Sequence, residues 1–509
     1  MNGPLQVVWF KRDLRVTDHR PLLEAGRRGP VLCLYLLEPE LYLSPDFAPR
    51  QLEFAWSCVQ ELDASLKALG ASLTVLEGEA VETLERIRQR CGIAGLWAHQ
   101  ETGNGTSYAR DRRVRRWARQ NGVAFSEYSQ SGVVRRLETR DGWHERWLEF
   151  VNRAVLPSPV RLEGVVVKSG SRSVCLHTPF EQVLKRLNLT PDPCTVQPGG
   201  RRAALELLTS FLGERGVDYS RRMSSPLLAP DACSRLSPHL VYGTLSVREV
   251  YKRALEAKRT LYLNAEHGEW VDPRRFLALA SFLSRLEWRD HFTQKLEDEP
   301  ALEFRAIHPA FENLRGDFDP MRLEAFQAGR TGFPLVDACV RSLKATGWLN
   351  FRMRAMLTSF AAYHLGLDWR EAGHFLARGW TDFEPGIHWP QMQMQSGVTG
   401  INTLRMYSPA KQAREHDPHG TFIRRWVPEL GDVPLEYLPE PHAMPPLTRL
   451  MSGTPQEGYP APLVCEKKAL EQAKTQIYAL RALESTKAEN ARIVEQHASR
   501  KPFRARSRR

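Results

Sequence analysis

The chain has 509 residues, 42% of them hydrophobic and 26% charged, and carries a formal net charge of +12. A length of this order accommodates roughly two to four domains, each able to bury a core. The composition excludes a collagen, a mostly disordered chain and a disulfide-dense mini-protein, and the basic balance favours a polyanionic partner such as nucleic acid or an anionic membrane surface.

Cysteine usage points to a reducing compartment. The closest pair of the eight cysteines, Cys175 and Cys194, lies 19 residues apart, so there is no C-x-x-C for zinc or thioredoxin-type chemistry. Reduced thiols and no metal site are expected. No apolar run approaches ~18 residues, so no membrane-spanning helix is expected. Met1-Asn2-Gly3-Pro4 lacks the basic and apolar regions of a signal peptide, and the expected location is cytoplasmic.

Residues 1–130 alternate strand and helix. Apolar runs at 7–10, 31–36, 72–76, 96–98 and 123–125 predict strands, and 20–27, 51–69, 80–90 and 106–121 predict helices between them. This rhythm predicts an α/β domain with a doubly wound parallel sheet, and a ligand site at the carboxyl ends of its strands. Residues 131–200 lose the rhythm. Their scattered Pro, Gly and Ser predict a long linker lying over the surface. From 201 to 480 the pattern is helical, at 203–212, 246–257, 273–296, 323–328, 335–346, 351–365 and 372–378, and predicts an all-α domain. The stretch 466–496 is helix-prone, and 481–509 is expected to be a basic, mobile C-terminal tail. No 20–50 residue repeat, no G-x-x-x-x-G-K-[ST] and no G-x-G-x-x-G after a strand occurs. A nucleotide cofactor would have to be held by another device.

Four segments stand apart. Trp9 to Asp18 runs from a strand into a loop rich in Lys and Arg, where an α/β sheet binds ligand. Cys233-Ser234-Arg235-Leu236-Ser237 places hydroxyls and an Arg before a helix, which suits phosphate as well as an ordinary N-cap. Arg285, Trp288 and Arg289 fall within one helical turn, as a base-stacking site or as a core Trp with ion-paired arginines. Finally, Thr346 to Pro409 holds Arg354 and its candidate partner Asp382. Its run from Trp380 to Trp389 is aromatic, acidic and Pro-broken, and predicts a loop.

Together these segments resemble the photolyase/cryptochrome flavoprotein family, from Val7 to about Leu438. WFKRDLRVTDH, SRLSPHL, WRD, GFPLVDACVRSLKATGW, DWRE, RMYSPAKQ and FIRRWVPEL fall in family order. The resemblance implies an α/β antenna domain over 1–130, a linker over 131–200, and a helical FAD-binding catalytic domain over 201–480. It implies FAD and a second antenna chromophore of folate, deazaflavin or flavin type, with UV-damaged DNA as partner and a monomeric state. The implied activity is that of a deoxyribodipyrimidine photolyase, splitting cyclobutane pyrimidine dimers flipped out of DNA by electron transfer from reduced FAD. A cryptochrome-type blue-light photoreceptor and a (6-4) photolyase are the alternatives.

Residue by residue, the resemblance implies flavin contacts at Tyr219, Cys233, Ser234, Arg235, Leu236, Ser237, Arg289, Arg354, Asp382 and Glu384. It places His388 opposite flavin N5. It implies Trp288, Asn350, His388 and Trp369 as catalytic positions, Arg285, Trp288, Asn350 and Gln412 on the DNA side, and Glu101 near the antenna chromophore. Some positions depart from the pattern. Arg285 stands where the best-known photolyases carry a Glu that bonds the lesion. His388 replaces Asn, Asp or Cys, and its protonation is expected to tune the flavin near neutral pH. Cys233 replaces Thr. Of three tryptophans that commonly wire the flavin to the surface, only Trp369 is kept, with Met392 and Gly316 at the other two positions. Trp348, Trp380 and Trp389 offer a different route or only packing.

Overall fold

The computed structural model describes residues 4–167, 170–315, 319–451 and 458–498. Gly316 and the last eleven residues of the chain lie outside them. Five strands, β1 (Gln6–Phe10), β2 (Val31–Leu37), β3 (Leu73–Glu77), β4 (Gly95–His99) and β5 (Ala124–Tyr128), form one parallel sheet in the order β3-β2-β1-β4-β5. β1, β2 and β4 are buried on both faces, as a parallel sheet covered by helices requires. Alternation along β1 sends Val8 and Phe10 to one core with Phe54 and Leu62. Val7 and Trp9 go to the other, with Leu84 and Val114. Chain order reverses between β1 and β4, so the crevice beyond Phe10 and His99 is the switch point where such sheets take ligands.

The rest is helical. The longest helix, Pro273–Asp298, begins with Pro at its first turn and an Asp272 cap onto Arg274 N. It packs beside Pro385–Ser396, close enough that a Cβ on Gly386 would meet Thr293 Cα at 2.7 Å. The Trp380–Trp389 run is therefore a loop only as far as Glu384. Pro385 sits where a helix has no N–H to lose, and the helix carries Pro390 inside it.

Residues 131–200 are not merely a surface linker. Trp143, Trp147, Phe150 and Val151, from the helix Trp143–Asn152, are buried with Phe211 and Leu286 in the helical half. Leu162, Val174, Val183 and Leu184 complete the sheet's core. These apolar residues are too widely spaced for periodicity to expose them. Part of the mobile tail expected from 481 is instead an ordered helix, and the tail's residues 499–509 lie outside the described residues. The helix Glu484–His497 is docked through buried Ile493 and a 2.8 Å contact of His497 with Glu299.

The two halves are tied by buried polar contacts. Arg50 pairs with Asp192 and donates to Leu343 O and Gly379 O, each at 3.0 Å. Arg15 donates to Gly243 O at 2.9 Å, where a Cβ would meet Arg12 O at 2.5 Å, so only glycine permits this approach.

Candidate flavin and DNA site

The segment Cys233–Ser237 leaves the short helix Ala229–Ala232 and enters another, Ser237–Val241. Arg235 is left-handed (φ +61°) and Leu236 right-handed (φ −86°, ψ −5°). That pair turns successive amides to one side, making an anion-binding nest. The Ser234 and Arg235 N–H groups donate to no acceptor among the described residues. Leu236 is buried in the core and anchors the turn. The Arg235 guanidinium lies over the Trp348 ring, 4.0 Å from its centroid, and burial lowers its pKa to about 10. Burial also pushes the Cys233 thiol up to about 12, so it stays a neutral SH. The arrangement fits a diphosphate by its amides.

Arg354 and Asp382 form a bidentate pair at 3.0 and 2.9 Å. Arg354 also donates to Leu349 O at 2.8 Å and lies 4.1 Å over Trp380. Two residues on, buried Glu384 receives Arg12 at 3.2 Å and Arg289 at 3.4 Å. Arg289 is itself held by Asp290 at 2.8 Å. Asp382 acts electrostatically on Arg235, and Arg354 on Cys233, so nest and pair share one neighbourhood. Sequence reading singled out the loop holding Arg12 but assigned that residue no role. Its bond to Glu384 spans 372 residues and leaves no local signal.

Outward, Trp288 is 42% exposed, with Arg285 4.8 Å over its ring. Arg285 also faces Phe351, which is 45% exposed, at 5.7 Å. Tyr219 is buried against Phe211 and Phe282; burial raises its phenol pKa, against the pull of the nearby Arg285 charge. Asn350 does not face outward. It is buried, its amide donates to Met223 O at 2.9 Å, and its Oδ1 finds no protein donor. Phe351 takes the outward place, and sequence reading missed it. Gln412 is buried too, 3.4 Å from Glu415, with Oε1 unpaired. Ser225 donates to His416 O at 2.9 Å, which brings 223–225, 350–352 and 407–416 together beside the mouth.

His388 Nε2 lies 3.0 Å from Gly373 O, so that nitrogen carries the proton and Nδ1 is an acceptor. Burial lowers its pKa to about 4. The expected titration near neutral pH is thereby corrected: the ring is neutral there. Trp369 is buried edge-to-face against Trp389, centroids 5.6 Å apart, and Trp389 also meets His374 and His388. Met392 S accepts from Thr358 at 3.3 Å. Trp348 and Trp380 instead roof Arg235 and Arg354. His239 packs on Phe54 in the interface with the sheet domain, not at the mouth.

At the sheet's carboxyl edge a cavity of about 150 Å³ is lined by Tyr35, Glu38, Glu101, Arg110, Tyr242 and Phe383, among others. Glu101 points its carboxylate at Arg110, which also holds Glu38 at 2.7 Å and Asp111 at 2.8 Å. Burial raises Glu38 to about 7, against the pull of Arg110. Beside it, Asp13 accepts from His19 Nε2 at 2.9 Å and His99 Nδ1 at 2.8 Å. His19 Nδ1 in turn accepts Leu22 N–H. Each bond fixes a tautomer, so this Asp–His–His set is a satisfied hydrogen-bonded triad.

Residues 6–145 match the family described as DNA photolyase, and residues 282–479 the FAD binding domain of DNA photolyase. A deoxyribodipyrimidine photo-lyase of Streptomyces griseus is 31% identical over 461 residues, covering 87% of this chain and 93% of that protein. Cryptochrome-1 of Sinapis alba is 28% identical, covering 91% and 94%. An archaeal photolyase from Sulfolobus tokodaii, whose structure holds two FAD molecules, superposes with a TM-score of 0.74 at 25% identity, covering 93% of this chain and all of that one. Among the described residues no helix is long and apolar enough to cross a membrane.

Proposed function

The chain belongs to the DNA photolyase family, and from that premise we propose that it is a light-driven lyase that repairs cyclobutane pyrimidine dimers in UV-damaged DNA. The observation that carries this reading is one continuous constellation. An open amide nest and the Arg354–Asp382 pair lie behind an exposed Arg285–Trp288–Phe351 mouth. FAD, when bound there, supplies near-UV and blue absorption and one-electron donation.

The chain's own groups do the rest. The amides of Ser234 and Arg235 bind the diphosphate without sacrificing an internal hydrogen bond. Asp382 fixes the Arg354 plane by two charge-assisted bonds, so a half-buried cation faces the site in one orientation. His388 keeps its proton on Nε2 and offers Nδ1 as an acceptor. Trp288 gives a flipped lesion a ring to stack on, and the poor stacking of damaged bases lowers the cost of flipping. Arg285 has donors only, so it selects carbonyl or phosphate oxygens. The cavity beside Glu101 is the place for a second chromophore.

Arg285 also favours a second reading. With Arg285 where the resemblance implies a lesion-bonding Glu, the mouth suits a photoreceptor that keeps the flavin site and gives up dimer specificity. One purification separates the readings. A repair lyase retains FAD and binds an oligonucleotide with one thymine dimer more tightly than its undamaged copy. Flavin without that preference favours the photoreceptor, and absence of flavin refutes both.

A further inference from the structure

The nest is stretched open by two residues outside it. Arg215 sits at the end of the kinked segment Phe211–Arg215, in which Gly213 leaves helical geometry and which closes the helix Arg201–Ser210. Its guanidinium donates to Asp231 O at 3.1 Å, to Cys233 O, to Ser234 O at 3.2 Å and to Leu207 O at 3.0 Å, with Nε on Ser210 Oγ at 3.1 Å. All five acceptors are uncharged. Gln197 of the 131–200 segment donates to Arg235 O at 3.0 Å and accepts the Arg235 side chain at 3.0 and 3.3 Å. The carbonyls of 233, 234 and 235 thus each accept a side-chain hydrogen bond.

A trans peptide is planar, and its N–H points opposite to its C=O. Pulling back the carbonyls of Cys233, Ser234 and Arg235 therefore pushes the N–H groups of Ser234, Arg235 and Leu236 to the far side. Two of those three, Ser234 and Arg235, find no acceptor among the described residues. The left-handed Arg235, an unfavourable backbone for a residue with a Cβ, is held from both ends. Because no carboxylate among the described residues is hydrogen-bonded to Arg215, its positive charge also stays available to an anion on the loop.

We propose that Arg215 and Gln197 are positioning residues for the cofactor's diphosphate: they hold the 233–235 carbonyls away so that the nest amides are presented to it. This rests on the reading of the site as an FAD site. It predicts a defect specific to the phosphate part of the ligand. The test uses the full chain, freed of flavin and titrated with FAD and with riboflavin, which shares the ring but has no phosphate, by quenching of flavin fluorescence. Arg215→Met is expected to weaken FAD by at least about tenfold, the effect of losing charge-assisted bonds, and to leave riboflavin within about twofold. Arg215→Lys keeps the charge but cannot span the four carbonyls, and is expected to recover only part of the loss. Gln197→Ala, which leaves Arg215 in place, is expected to show the same selective loss to a smaller degree. If FAD and riboflavin weaken equally, or FAD affinity is unchanged in both Arg215→Met and Gln197→Ala, the proposal is wrong. If the unaltered chain binds riboflavin as tightly as FAD, the diphosphate contributes nothing and the proposal is wrong; if it binds neither, the flavin reading beneath it fails instead.

Discussion

Asp382→Asn probes the flavin site where its chemistry is most exposed to a single atom. Asp382 accepts two bonds from Arg354, at 3.0 and 2.9 Å. Asn keeps one acceptor and turns an NH2 toward a guanidinium N–H, so one bond becomes a donor facing a donor, and the countercharge is lost. Breaking a fully buried ion pair costs about 3–5 kcal/mol, and one hydrogen bond to a charged group contributes about 1.5–3 kcal/mol. The Arg354 side chain is 26% exposed, so water recovers part of the loss and about 2 kcal/mol is the figure to expect. Expressed in cofactor affinity that is about 30-fold. The assay is FAD affinity by fluorescence quenching, with thermal unfolding in parallel. Glu429→Gln is the control, because Glu429 makes a comparable bidentate pair with Arg341, at 2.9 and 2.7 Å, elsewhere in the helical half. FAD affinity within about threefold of the unaltered chain, or an equal loss in Glu429→Gln, refutes the assignment of the Arg354–Asp382 pair to the flavin.

Three further outcomes are expected. Trp288→Ala retains flavin and weakens binding of dimer-containing DNA by about 1–3 kcal/mol, with undamaged DNA little changed; equal loss on both removes the lesion-stacking role. Arg285→Gln lowers affinity for damaged DNA about tenfold and reduces the dependence of log K on log salt by about one unit, the mark of one lost phosphate contact; an unchanged slope places Arg285 on a base carbonyl instead. The third concerns pH. His388 has a folded pKa of about 4 against about 6.5 unfolded, so on acidification the unfolded chain takes the proton first. Stability is therefore retained above about pH 6.5 and falls by up to about 3 kcal/mol as pH drops toward 4. His388→Gln should flatten the fall in unfolding temperature between pH 7 and 5, and an identical fall would show that this ring does not titrate as described.

Much of this was legible in the sequence, for physical reasons. The five strands were readable because parallel strands covered on both faces are short apolar runs broken by polar turns. Arg354 and Asp382 were readable as a pair because an inward-facing guanidinium needs a carboxylate. The segment order carried the family. What stayed hidden shares one property: it depends on distant partners. Arg12 meets Glu384, Gln197 meets Arg235, and Trp147 meets Asp290, each from another part of the chain. The Pro385 helix was missed because Pro reads as a breaker unless its position in the first turn is known. Phe351 and Asn350 are adjacent, and only the direction of the helix Phe351–Ser359 decides which one faces outward.

The central claim is light-driven repair, and it is tested by reducing the purified protein and mixing it with an oligonucleotide that carries one cyclobutane thymine dimer. The mixture is illuminated in the near-UV to blue, and intact thymine is followed by chromatography against a dark control. Recovery of thymine only in the light, abolished in Asp382→Asn under limiting FAD, is the result the account predicts. Flavin that is bound and photoreduced while the dimer remains intact would contradict it and transfer the chain to the photoreceptor reading that Arg285 favours.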